Sequence, residues 1–130
     1  YIHCLFLDRS NVKEGLKTIL AGVDELKNGH SIWIFPEGTR NRGEEGSMLE
    51  FKEGSLKMAD KAGCPVVPVA IAHSADVLEN HLPFIRRAAI TIRFGEPIDL
   101  KSLPREQKKQ AGAYTRTIIQ AMLDDILRED

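Results

Sequence analysis

Pro36, Glu37, Gly38, Thr39 and Arg40 follow one another directly after an apolar run, Ile32-Trp33-Ile34-Phe35. That run reads as a buried strand. A buried strand that releases the chain into a tight turn at its carboxyl end marks the place where open α/β sheets bind ligands. Gly38 admits positive φ and close backbone approach at little cost. Thr39 offers a hydroxyl, and Arg40 a planar fork suited to phosphate or carboxylate. Glu37 is read as orienting the loop or Arg40. An isolated Gly-Thr-Arg is an ordinary solvated loop. At the exit of a buried strand the same residues point to an anion site.

The elements that must position this turn are readable from periodicity. Tyr1 to Leu7 is rich in aromatic and β-branched residues and reads as a first strand. Asn11 with Glu14 is a capping-box pattern. Val12, Leu16, Ile19, Leu20, Val23 and Leu26 then recur at helical spacing, stopped by Asn28-Gly29. Ser31 to Phe35 is the second strand. A polar loop from Asn41 to Glu50 leads to a helix from about Lys52 to Ala62, ended at Gly63. Val66 to Ala72 is a third strand. Its continuous apolarity suggests cover on both faces, and Pro68 suggests an edge or a bulge. His73 to Phe84 reads as irregular or partly helical, Ala88 to Phe94 as a fourth strand, and Lys101 to Pro104 as a connector. Ala111, Tyr114, Ile118, Met122 and Ile126 form the stripe of a long amphipathic helix, expected to pack on the sheet. Alternating strands and helices predict an α/β fold with a mainly parallel central sheet flanked by helices.

Bulk composition narrows the function. The chain has 130 residues, 42% apolar and 28% charged, enough for one domain with a real core. Its 18 basic and 19 acidic side chains leave a net charge of -1, which gives no global attraction to nucleic acid. Arg86-Arg87 and Lys108-Lys109 are basic pairs without interleaved aromatics, which also argues against a nucleic-acid partner. Cys4 and Cys64 adjoin apolar runs and read as buried free thiols. The histidines His3, His30, His73 and His81 show no metal-ligand spacing, so no metal is expected. No apolar run approaches the ~20 residues of a membrane span. The chain opens on Tyr1 inside an apolar run and reads as cut from something longer.

Phe35-Pro36-Glu37-Gly38-Thr39-Arg40 resembles the third signature block of the glycerolipid acyltransferases, most closely the 1-acylglycerol-3-phosphate acyltransferases. Leu5-Phe6-Leu7-Asp8-Arg9 resembles the second block, although His3 stands where a glycine usually leads it. Phe51-Lys52-Glu53-Gly54 resembles the Phe-Lys-x-Gly that follows the third block. Ala62-Gly63-Cys64-Pro65-Val66-Val67-Pro68-Val69-Ala70-Ile71 resembles the fourth block and its lead-in. The four matches keep the family's order between Leu5 and Ile71. The final third of the chain carries no matching motif.

The resemblance implies an N-terminally truncated, glycerol-phosphate acyltransferase-like fold, with residues 1–130 the C-terminal portion of a single acyltransferase domain. It implies acyl transfer from acyl-CoA or acyl-ACP to the free hydroxyl of lysophosphatidate, by general base catalysis from a histidine oriented by an aspartate. The block with that dyad is expected upstream of Tyr1. His3 and Asp8 have the right offset but fall on or beside a strand, where an odd separation points side chains to opposite faces. This chain alone is therefore expected to be inactive. It is expected to hold the acceptor's phosphate through Arg9, Gly38, Thr39 and Arg40, with Glu37 and Lys52 supporting. Arg9 pairing with Asp8 or Glu14, and Lys52 as a solvated lysine, are the plain alternatives. No cofactor is implied beyond the acyl thioester co-substrate. The implied partners are a lysophospholipid, the thioester donor and the cytoplasmic side of a membrane, reached through the missing part. Another acceptor, such as glycerol 3-phosphate, and a noncatalytic anion-binding module are the competing readings.

Overall fold

The computed structural model describes residues 4–5 and 10–130. The first helix, α1, spans Val12–Lys27, where the apolar spacing places it. Its cap is Asn11, whose Oδ1 accepts from the amides of Lys13 at 3.1 Å and Glu14 at 3.4 Å. The reciprocal half of the capping box is not made: the Glu14 carboxylate turns to Lys17 at 2.8 Å. Gly29, at φ 89°, ends the helix in the left-handed region.

The predicted helix from Lys52 divides in two. Glu53–Leu56 winds as a 3₁₀ turn and α2 covers Lys57–Ala62, closed by left-handed Gly63. Lys52 provides no side-chain cap, and the Glu53 carboxylate is engaged elsewhere. The last helix, α4, spans Ala111–Glu129, after a short α3 over Arg105–Lys109.

The third and fourth predicted strands depart from parallel pairing. Among the described residues the sheet has two strands, β1 (Val69–Ala72) and β2 (Thr91–Phe94), and they pair antiparallel, Val69 opposite Phe94 and Ala72 opposite Thr91. A parallel partner would need a crossover, usually a long helix. The connection here is made of 3₁₀ turns, Ser74–Val77 and Glu79–His81, and it brings the chain back alongside. Ser31 to Phe35 has no ladder partner among the described residues. The expected strand at Tyr1 to Leu7 falls largely outside the described residues.

Val66–Ala72 is covered more fully on one face than on the other. Ala70 and Ala72 are buried beneath α4, while Val69 and Ile71 are half-covered on the opposite face. Pro68 interrupts the ladder as expected. Val66 bridges Ile98 on one side of it, and the Val69 pairing begins on the other. The Pro68 carbonyl accepts the Gly95 amide at 2.8 Å. A Cβ at Gly95 would stand 2.8 Å from the proline ring and 2.9 Å from Met122 Sδ, so only glycine fits there.

The core has two parts, both built on α4. Leu56, Ile98, Leu100 and Ala111 form one, with Tyr114 and Ile118 against them. Ala70, Ala72, Leu123 and Ile126 form the other, with Met48, Ile119 and Met122. The stripe read from the sequence is therefore the face that packs on the sheet. The cysteines correct another expectation: both are free, but Cys4 is exposed and Cys64 half-buried.

Candidate functional site

The segment before the turn is positioned by its aromatic rings. Trp33 meets Phe94 of β2 edge to face with centroids 6.4 Å apart, and Phe35 at 6.3 Å. Proline at 36 then starts a turn closed by the Gly38 amide on the Phe35 carbonyl at 3.1 Å. Gly38 sits at φ 71°, a conformation that a side chain disfavours.

Two hydrogen bonds fasten this turn to the chain beyond it. The Lys52 amide donates to the Pro36 carbonyl at 2.9 Å. The Leu49 amide donates to Glu37 Oε2, also at 2.9 Å. The Lys52 stem lies against Gly38, with Cγ and Cε 3.7 and 3.8 Å from where a Cβ would be. Glu37 thus orients the loop, as its position in the motif suggests, and Lys52 packs on the turn itself. Thr39 and Arg40 emerge on the exposed side. The Arg40 guanidinium is 3.8 Å from the Glu79 carboxylate, a loose pair in which the arginine side chain stays 78% exposed. Such a pair contributes little to stability and leaves the guanidinium available to an anion. Arg9 lies outside the described residues.

The structure adds residues that the motif did not announce. Arg116 on α4 donates from Nε to the Leu49 carbonyl at 2.8 Å and from Nη2 to the Met48 carbonyl at 2.5 Å. Gln120, one helical turn on, donates to the Gly46 carbonyl at 2.8 Å. Asn41 donates to the Ser47 carbonyl at 2.7 Å and accepts the Gly43 amide at 2.9 Å. The loop between the two halves of the motif is therefore held by α4 and by its own side chains. Glu53, inside the Phe-Lys-Glu-Gly stretch, accepts the amides of Gly112 at 3.0 Å and Ala113 at 3.2 Å. It caps α4, whose own Gln110 makes no side-chain cap. The helical stripe showed α4 as a packing helix. Which of its polar residues reach back to the motif depends on tertiary geometry that no local spacing encodes.

His73 joins the same loop to the end of α4. Its amide donates to Glu45 at 3.0 Å, and its Nε2 lies 2.5 Å from the Asp130 carboxylate. The Asp130 hydrogen bond raises its pKa above the usual histidine value. Burial opposes the shift, and the charges of Asp130, Glu45 and Asp76 add to it. Among the described residues no group of histidine, cysteine and carboxylate side chains is arranged to hold a metal ion. Clefts of about 360 and 410 Å³ lie between α2 and α3 and beside Gly95–Leu103, and neither includes Arg40.

The sequence model of the family described as Acyltransferase matches residues 1–72, which take in the turn, the Phe51-to-Gly54 stretch and β1. The chain belongs to that acyltransferase family. It is 30% identical to the 1-acyl-sn-glycerol-3-phosphate acyltransferase of Saccharomyces cerevisiae, over 93% of this chain and 39% of the yeast protein. It is 30% identical to the enzyme of that name from Escherichia coli, over 96% of this chain and 50% of the bacterial one. The crystal structure of the 1-acyl-sn-glycerophosphate (LPA) acyltransferase PlsC from Thermotoga maritima superposes with a TM-score of 0.71 at 26% identity, covering 86% of this chain and 45% of that one. The chain thus spans about half the length of these relatives or less. Its helices and small sheet are those of an α/β acyltransferase.

Proposed function

We propose that the whole protein transfers an acyl group from a coenzyme A or acyl-carrier-protein thioester to the free hydroxyl of 1-acylglycerol 3-phosphate, giving phosphatidate. The hydroxyl oxygen attacks the thioester carbonyl, the carbon–sulfur bond breaks, and the hydroxyl proton passes through a general base to the departing thiolate. In this reading residues preceding Tyr1 supply that base and its orienting carboxylate. The present residues supply the grip on the acceptor's phosphate. Arg40 holds it bidentately, Arg9 adds a second positive charge, and Gly38 and Thr39 close the turn around it. Ser31 to Phe35 takes its place in a parallel sheet completed by the strand at Tyr1 to Leu7. The acceptor reaches the enzyme at the cytoplasmic side of a membrane.

One observation carries the reading. The turn is fixed at Glu37 and at Pro36 by bonds to Leu49 and Lys52, so that an exposed arginine stands on a rigid support. The test is an acceptor panel with the full-length protein: lysophosphatidate, glycerol 3-phosphate and lysophospholipids with larger headgroups. Lysophosphatidate is expected to be preferred. Arg40→Ala is expected to lower kcat/KM for it by roughly ten- to a hundredfold, the loss of one charge-assisted contact of ~1.5–3 kcal/mol. Unchanged acceptor kinetics in that variant would remove the phosphate role. Residues 1–130 alone, given acyl thioester and lysophosphatidate, are expected to form no product above background.

A further inference from the structure

Six consecutive residues, Leu82-Pro83-Phe84-Ile85-Arg86-Arg87, are all exposed. Three large apolar ones fall within four positions, Leu82 exposed at 67%, Phe84 at 71% and Ile85 at 77%. Scattered surface apolar residues are ordinary, but adjacent ones on one loop call for an occupant. The loop is not loose. The His81 amide donates to Leu78, the Phe84 amide to His81 and the Arg86 amide to Val77, each at 2.9 Å. The last of these bonds closes the loop between Val77 and Arg86.

Charge identifies the occupant. No acid lies between Leu82 and Arg87. The nearest acids in sequence lie on the preceding 3₁₀ turns: Asp76 accepts from Asn80 at 2.7 Å, and Glu79 stands 3.8 Å from Arg40. Exposed apolar side chains followed directly in sequence by two exposed arginines match a bilayer interface. There the ring and alkyl groups enter the acyl boundary, and guanidinium groups meet anionic headgroups.

We infer that the Leu82–Arg87 loop is a docking surface for an anionic phospholipid bilayer. It lies next to the proposed acceptor site, because Glu79 at its base pairs with Arg40. Docking would hold Arg40 close to headgroup level, where a lysophospholipid carries its phosphate. This last step rests on the phosphate role of Arg40, whereas the docking itself does not.

The test is sedimentation of the full-length protein with vesicles of phosphatidylcholine alone and of an equal mixture with phosphatidylglycerol. Wild type is expected to bind the mixed vesicles roughly tenfold or more tightly than the neutral ones, as two interfacial arginines imply. Phe84→Ser with Ile85→Ser is expected to weaken binding to both by at least about tenfold. Arg86→Gln with Arg87→Gln is expected to abolish the preference for anionic vesicles and its salt sensitivity. Thermal unfolding and turnover of a short-chain, water-soluble lysophosphatidate report on folding, and both are expected to be unchanged in these variants. Absent wild-type binding, binding that ignores both pairs of substitutions, or loss of a concentration-dependent dimer instead of vesicle binding would each overturn the inference. If the soluble acceptor is not turned over while vesicle binding still follows the loop, the phosphate reading fails and the docking surface stands.

Discussion

Glu37 reaches across the motif loop to the amide of Leu49, at 2.9 Å, and is the side chain that makes the Pro36–Arg40 turn part of a larger unit. A carboxylate accepting a backbone amide is a charge-assisted bond, but this one is partly solvated, so about 1 kcal/mol is a fair local value. Glu37→Ala is therefore expected to speed hydrogen exchange at the Leu49 amide by roughly fivefold, with little change in Tm. Glu37→Asp, one methylene shorter, should show the same. Unchanged exchange at Leu49 would mean that the turn is held by the Lys52–Pro36 bond alone.

Gly38 gives a graded test of the same turn. Its φ of 71° disfavours any Cβ, and Lys52 lies 3.7 Å from that position. Asparagine tolerates left-handed backbone better than alanine, and valine least of all. Acceptor KM in the full-length protein is expected to rise in the order Gly38, Gly38→Asn, Gly38→Ala, Gly38→Val. The alanine variant should lose about 1 kcal/mol of stability. A flat series would show that the turn's conformation does not matter to acceptor binding.

His73 makes stability depend on pH. Its folded pKa is raised, chiefly by the hydrogen bond to Asp130, so the folded state binds the proton more tightly than the unfolded chain does. The stabilisation is fully present below the unfolded value, about 6.5, and is lost as pH rises through the raised folded value. His73→Asn keeps a residue suited to the positive φ of 64° while removing the charge. The Tm difference between wild type and this variant is expected to be largest near pH 6 and to shrink as the solution becomes alkaline. Asp130→Asn should flatten the wild-type profile in the same way. A difference independent of pH would mean that His73 acts only through packing.

Local signals made the helices legible. Asn11 gives the start of α1, Gly29 and Gly63 the ends of α1 and α2, and Ile118 to Ile126 the buried stripe of α4. The turn at Phe35–Arg40 was equally legible, because proline and glycine dictate it at the positions where they stand. Strand pairing was not. A run such as Val66–Ala72 is apolar whether helices cover both faces or one, and its direction relative to Ala88–Phe94 depends on how the intervening chain returns. The contacts of Arg116, Gln120 and Glu53 with distant backbone were illegible for a related reason: each spans dozens of residues, and each of these side chains is also an ordinary surface residue of a helix or turn.

Glu53 offers the sharpest distinction between motif and scaffold. It occupies the variable position of Phe51-Lys52-Glu53-Gly54, yet its carboxylate caps α4 through Gly112 and Ala113 at 3.0 and 3.2 Å. A lost N-terminal cap costs ~0.5–2 kcal/mol, and this cap has no substitute at Gln110. The helix dipole adds to the preference for a negative charge there. Glu53→Ala is therefore expected to lower stability by about 1–2 kcal/mol in urea unfolding. Glu53→Gln, which can still accept from one amide, should lose less than Glu53→Ala. Acceptor KM should be unchanged in both, because both carboxylate oxygens are taken up by α4 amides. A large KM effect with intact stability would move Glu53 into the binding site and reassign the cap.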